Sequence, residues 1–181
     1  SSLNERAEIL WEKGTNRAQF FRGESKYYEW KDTGSSFLLS DLNASFLYAQ
    51  IESLEKIQLR RKKHWTEYRE GFKHLSDKEY VGLPIIPAYA TLNANSFYIT
   101  CRNGEERNNL LNYLISNGIK ALSHYLPLHK SKYYSLRHDG RHLKNCDFFS
   151  ETLVRFPLFP DLKKKETNYI IDKTVDFFKQ K

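Results

Sequence analysis

The 181-residue sequence contains no methionine, two cysteines, five prolines and eight glycines. The two cysteines, Cys101 and Cys146, are too few for a disulfide scaffold, and a reducing, cytoplasmic setting is the expectation. Charges interrupt every apolar run well before the roughly 18 residues that a membrane-crossing helix needs. The opening stretch, Ser1 to Glu8, is polar and charged, unlike a secretory signal. Neither sign of charge dominates: 29 lysines and arginines stand against 22 acids, a net charge of +7. That excess is scattered along the chain, whereas nucleic-acid binders concentrate it in a stripe. Neither a nucleic-acid nor a membrane partner is expected. No GxSxG, HExxH or Walker pattern occurs. The missing methionine fits an initiator removed before a small residue, or a chain cut from a longer parent.

What is present is core material. The apolar fraction is 40% and the aromatic fraction 15%, which excludes a wholly disordered chain. Ser2 and Glu5 form a capping box, Leu3, Ala7, Leu10 and Trp11 mark one apolar stripe, and Gly14 suits the left-handed position that ends a helix. A helix this short must bury its stripe against something else. Residues 15 to 40 read as an irregular, aromatic-rich segment. One long helix is expected from about Ser40 to about His74, with apolar residues from Leu42 to Phe72 at helical spacing. At 1.5 Å per residue it would reach about 50 Å, longer than a small domain is wide. Its most basic stretch, Gln58 to His64, reads as a solvated face.

The remainder is α/β-patterned. Ser96 to Cys101 alternates like a strand, Glu105 to Asn117 reads as a helix closed by Gly118, and Ile119 to His124 reads as a second strand. Tyr125 to Asn145 reads as a long loop, Phe148 to Leu153 as a short helix, Val154 to Phe156 as a short strand, and the stretch holding Tyr169 to Phe178 as a final helix. His138, His142 and Cys146 are spaced four apart, but Gly140 interrupts their helix and no fourth ligand is evident, so a metal site is not expected. His124 and His129 flank Pro127 where a strand would exit, a position from which an imidazole can donate to phosphate or exchange protons. Histidines satisfied by local hydrogen bonds are the equal alternative.

Three segments carry a resemblance: Lys13 to Glu24 (KGTNRAQFFRGE), Tyr28 to Gln50 (YEWKDTGSSFLLSDLNASFLYAQ) and His124 to Tyr134 (HYLPLHKSKYY), with Arg155 to Leu158 (RFPL) before the last helix. Together they resemble the DegT/DnrJ/EryC1/StrS sugar aminotransferases, which use pyridoxal 5'-phosphate (PLP). The resemblance implies the C-terminal half of a fold-type I aminotransferase, of α/β class with an α+β small domain. Residues 1–40 would be the tail of the large domain, 41–74 the long linking helix and 75–181 the small domain. It further implies a homodimer, glutamate as amino donor, and the 4-keto carbon of a dTDP-6-deoxy sugar as acceptor. A 3-keto or UDP sugar, or a non-catalytic dimerisation module, is the alternative. The lysine that carries the cofactor would lie upstream of Ser1, so no catalytic residue is assigned within the chain. The stretch Gly34 to Asp41 is similar to the one that reaches a neighbouring subunit's cofactor. There an asparagine often meets the cofactor phosphate; Leu38 stands at that position here, and Ser35 and Ser36 are the implied replacements. His124, Tyr125 and His129 match the nucleotide-sugar side, where Arg17, Arg22 and Lys132 would add donors. Asn95 occupies a position that is often histidine.

Overall fold

The computed structural model describes residues 2–179, with Ser2 described only as a helix residue, so the cap expected from its side chain lies outside the described residues. The chain forms two compact units, 1–53 and 54–181.

In the first unit, α1 (Ser2–Trp11), α2 (Arg17–Phe21) and α3 (Asp41–Glu52) are joined by a long, ordered connection. Helix α1 ends as its glycine requires: Gly14 has φ +79° and donates its N–H to Ile9 O at 2.8 Å. The connection, expected to be irregular, includes the short helix α2 and is stitched by single backbone bridges from Glu12 to Ser36 and from Thr15 to Trp30. Its organiser is buried Asn16. The Asn16 amide donates to Ser25 Oγ and Tyr27 O, and its Oδ1 accepts from Glu29 N at 2.8 Å. No apolar side chain of this unit is buried among the described residues; Trp30 and Leu42 are each 80% exposed. The stripe of α1 is likewise unburied, so these side chains have no core within the unit.

Ser40 caps α3, its Oγ accepting from Asn43 N. The single helix expected over residues 40–74 is instead two, with the break at Ser53. The Ser53 N–H closes on Gln50 O at 3.2 Å, a tight three-residue return, and its backbone stands at φ −97°, ψ 5°. Leu54 resumes the apolar spacing on the far side, which is why periodicity alone does not reveal the interruption.

The second unit comprises α4 (Leu54–Asp77), β1 (Phe97–Thr100), α5 (Gly104–Ser116), α6 (Lys144–Thr152), β2 (Leu153–Phe156) and α7 (Lys164–Lys179). Strands β1 and β2 pair antiparallel, with Phe97 opposite Phe156 and Ile99 opposite Val154. Trp65, Tyr68, Phe72 and Leu75 form the buried stripe of α4 at helical spacing, and they join Phe97, Ile99, Val154 and Phe156 in one core. The Phe97 ring lies 5.4 Å from Trp65 and 5.2 Å from Tyr68 between centroids. Leu110 and Leu114 of α5, and Ile170, Val175 and Phe178 of α7, belong to the same cluster. Tyr68 Oη donates to Pro157 O at 2.9 Å, which satisfies the one polar atom of a fully buried ring.

Three expectations are corrected here. Ile119–His124 is not a strand: the Ala121 N–H turns back onto Ile119 O at 2.9 Å, so only Leu122 is left to exchange hydrogen bonds with Arg155. The sheet partner of β1 is therefore the later, antiparallel β2, not the Ile119–His124 segment after α5. Helix α6 begins at Lys144, four residues before the expected start. The Gln58–His64 run is not wholly solvated either. His64 is buried with its Nδ1 3.1 Å from both Glu67 Oε2 and Thr167 Oγ1, and Arg61 reaches Asn95.

Candidate functional site

The loop between Leu122 and Lys144 is set by its two ends. The Leu122 N–H and C=O exchange bonds with Arg155 at 3.0 and 2.8 Å, which anchors the entry to the sheet. Helix α6 receives the exit. Between them the backbone makes single 3-10 turns at Leu128–Lys130 and Ser135–Arg137. His124 and Tyr125 follow the anchored entry with their rings 5.1 Å apart, and both are exposed. They line a cavity of about 380 Å³ together with Arg107, Lys130 and Glu151. Arg107, on α5, was not singled out by sequence reasoning. Its Nε is buried without a hydrogen-bond partner, a cationic donor left unused beside the imidazole and phenol. Nothing in the sequence distinguishes it from the other arginines of exposed helix faces.

His129 faces the other way. Its Nε2 lies 3.0 Å from Asp147 Oδ1 on α6, and the same carboxylate takes Lys130 Nζ at 2.8 Å and His142 Nε2 at 3.4 Å. The bond from Lys130, reinforced by His129, holds the Asp147 carboxyl below its ordinary value, and the Lys130 ammonium is correspondingly raised by Asp147 and then Glu151. The His138 ring lies 5.2 Å from that of His129, tilted by 41°, and bonds Arg141 O through Nε2. Asp147, Lys130 and Glu151 thus pin the loop to α6, a role that no local sequence pattern announces. Lys132 is exposed.

The remaining candidates lie in the first unit. Arg22 forks onto Glu8 at 2.7 and 2.9 Å and onto Glu24 at 2.8 and 3.0 Å, so its donors are occupied and its pKa is raised, by Glu8 before Glu24. It clasps α1 to α2, and an anion would have to displace two carboxylates to reach it. Arg17 lies 3.6 Å from Glu12 and over the Phe21 ring at 5.4 Å. Ser35 and Ser36 are exposed on a stretch fixed by its backbone: Ser35 donates its N–H to Leu10 O at 3.0 Å and accepts from Lys13 N at 3.3 Å. Leu38 is exposed. Two glycines make that placement possible. A Cβ on Gly34 would sit 2.1 Å from Gly14 N, and one on Gly14 would sit 1.8 Å from Asp32 O. The candidates therefore fall into two sets, His124, Tyr125, His129 and Lys132 in the second unit and Arg17, Arg22, Ser35 and Ser36 in the first.

Solved structures share this fold. TlmJ, an aminotransferase from Streptoalloteichus hindustanus, is 20% identical, with a TM-score of 0.83 over 99% of this chain and 46% of its own. Helicobacter pylori PseC, an aminotransferase involved in the biosynthesis of pseudoaminic acid, is 19% identical, with a TM-score of 0.84 over 100% of this chain and 47% of its own. Spr1654 from Streptococcus pneumoniae, in its PLP-form, is 21% identical, with a TM-score of 0.79 over 96% of this chain and 42% of its own. The chain thus spans less than half the length of each of these structures, and its fold is that of part of a fold-type I aminotransferase. The family model of the DegT/DnrJ/EryC1/StrS aminotransferases matches residues 1–175, and the chain belongs to that family.

Proposed function

We propose that the chain is the C-terminal part of a PLP-dependent nucleotide-sugar aminotransferase. In the fuller protein it would transfer an amino group from glutamate to the 4-keto carbon of a dTDP-4-keto-6-deoxy-hexose, for cell-surface polysaccharide synthesis. The specific activity favoured is that of a dTDP-4-amino-4,6-dideoxygalactose transaminase, to which the GSSFLLSD, HYLPLH and RFPL segments are similar. The observation that carries the reading is the family match across residues 1–175.

The described residues fit one end of the cofactor. PLP supplies an electron sink when bound. Ser35 and Ser36 present adjacent, exposed hydroxyls on a rigidly placed backbone, a donor pair suited to its phosphate. No described lysine is buried, and Lys130, its ammonium raised by Asp147 and Glu151, is held as a cation that pins the loop. The anchoring lysine is accordingly assigned to another part of the protein. His124 and Tyr125 would donate to the sugar or diphosphate, Arg107 would neutralise part of the substrate's charge, and Asp147 would hold His129 and its loop in place. The apolar faces of α1 and α3 would be covered by the rest of the large domain and by a second subunit, as expected of a homodimer.

The test is an assay of the complete reading frame's product with PLP, glutamate and dTDP-4-keto-6-deoxy-glucose. Formation of 2-oxoglutarate with an amino-sugar product of the matching mass is expected, and Tyr125→Phe with His124→Ala should reduce kcat/KM by at least tenfold. Turnover only with a UDP sugar or a 3-keto sugar would replace the substrate assignment, and no amino transfer at all would reject it.

A further inference from the structure

On the side of the sheet where the single bridge joins Leu122 to Arg155, a second cavity of about 300 Å³ opens, lined by Asn95, Ser96, Lys120 and Arg155 among others. It belongs wholly to the second unit and holds none of the residues assigned above to the aminotransferase site. No carboxylate lines it. The Arg155 guanidinium is half-buried, and neither it nor the Lys120 ammonium is engaged by a hydrogen bond or ion pair among the described residues. Arg61 brings a third positive charge to the rim, donating through Nη2 to Asn95 O at 3.1 Å and Asn95 Oδ1 at 3.2 Å. That contact uses the acceptor end of the Asn95 side chain and leaves its amide as a donor. Glu166 shares a neighbouring cavity with Lys120, and its carboxylate accepts from Lys163 N.

Cations that converge without a counter-charge repel one another, and an apolar or cationic ligand would leave that repulsion in place. An anion with several acceptor oxygens relieves it and satisfies guanidinium, ammonium, amide and hydroxyl donors together. The single backbone bridge from Leu122 fixes β2 residue Arg155 relative to the segment leaving α5, so the cluster is preorganised at the sheet edge. We infer that Lys120, Arg155, Asn95 and Ser96 form an oxyanion-binding site, for a carboxylate or phosphoryl group of a small ligand. The assignment rests on the second unit alone and holds whichever reaction the fuller protein catalyses. If that reaction is amino transfer, the two sources of such a group are the donor amino acid and the nucleotide.

Amide NMR spectra of the full 181-residue chain test this, with separate titrations of inorganic phosphate, glutamate and sodium chloride at matched ionic strength. Saturable shifts at Asn95, Ser96 and Leu122 with phosphate or glutamate, absent with chloride, are expected. The apparent Kd should rise at least tenfold in Arg155→Gln and in Lys120→Gln, recover in part in Arg155→Lys, and stay unchanged in Lys165→Gln, which alters the neighbouring cavity. Response to phosphate alone assigns the site to a nucleotide phosphate, and response to glutamate alone assigns it to the donor carboxylate; either supports the site. If Arg155→Gln disturbs the sheet, seen as loss of the protected Leu122 amide, Lys120→Gln decides, because it changes only an exposed side chain. Shifts that do not saturate, that chloride reproduces, or that survive in the Lys120→Gln variant with wild-type affinity overturn the inference.

Discussion

His129 Nε2 lies 3.0 Å from Asp147 Oδ1, which ties the middle of the 124–143 loop to a carboxylate on α6 eighteen positions later. The same oxygen takes Lys130 at 2.8 Å, so one acid fixes two successive side chains of the 3-10 turn that follows Pro127. Asp147 is a positioning residue, and the loop is only as ordered as this carboxylate is charged.

The acid therefore sets a pH limit. Its folded pKa lies below the ordinary 3.8, chiefly through Lys130 and then His129. The stability it contributes is fully present above 3.8 and disappears as the pH falls through the lower folded value. The Lys130 and Ser131 amides, which donate to Pro127 O and Leu128 O, should keep their hydrogen-exchange protection from neutral pH down to that range and lose it below. Asp147→Asn should show the unprotected pattern at neutral pH already; equal protection in variant and wild type would show that the clasp does not order the loop.

Gly34→Ala should unpick the first unit where it carries Ser35 and Ser36. The added methyl would meet backbone atoms, Gly14 N at 2.1 Å and Leu10 O at 2.6 Å, that cannot turn aside. The Ser35 amide, bonded to Leu10 O, should lose at least tenfold in exchange protection. Gly23→Ala is the control. Its φ is +77° but nothing lies within 4 Å of the new methyl, so only the conformational cost of about 1 kcal/mol applies there.

Phe97→Ala should destabilise the second unit by about 3–5 kcal/mol in chemical unfolding, because the ring is fully buried among Trp65, Tyr68, Phe72 and Phe156. Tyr68→Phe keeps the ring and deletes only the bond to Pro157 O, so about 1 kcal/mol is expected. A Tyr68→Phe loss as large as that of Phe97→Ala would mean that the hydroxyl, not the ring, organises the core.

PLP added to this chain and then treated with borohydride should leave no single lysine stoichiometrically modified. The described lysines are exposed or half-buried, and modest labelling spread over several of them is the expected mass-spectrometric result. One lysine labelled to completion would place the cofactor's anchor within these residues.

The sequence pattern was most informative where a side chain has one physical option. Gly14 marked the end of α1, Ser40 the start of α3, and the alternation at Phe97 and Ile99 the buried strand. It failed where the deciding event is a backbone choice among near-equals. Ser53 closes on Gln50 and divides a periodic stretch into two helices, and Ala121 turns back onto Ile119 and denies the chain a strand. Both choices are invisible to apolar spacing because the side chains keep their rhythm through them. At the candidate site, the HYLPLH segment pointed to His124 and Tyr125, whereas Arg107 and Asp147 come from helices distant in sequence and are brought in only by folding. Arg22 is named from the sequence as a donor toward the nucleotide sugar, and nothing in the spacing shows that Glu8 and Glu24 converge on it.

The uneven division of buried apolar side chains has a consequence for how variants of this protein would be screened. Every one of those described lies in residues 54–181. A melting curve of the chain consequently reports the cooperative loss of the second unit and is nearly silent about the first. A library ranked by thermal shift would pass lesions at Gly34, Ser35 or Ser36 as neutral, although these are the positions proposed to meet the cofactor. Selection for stability and selection for function would then act on separate parts of the same polypeptide.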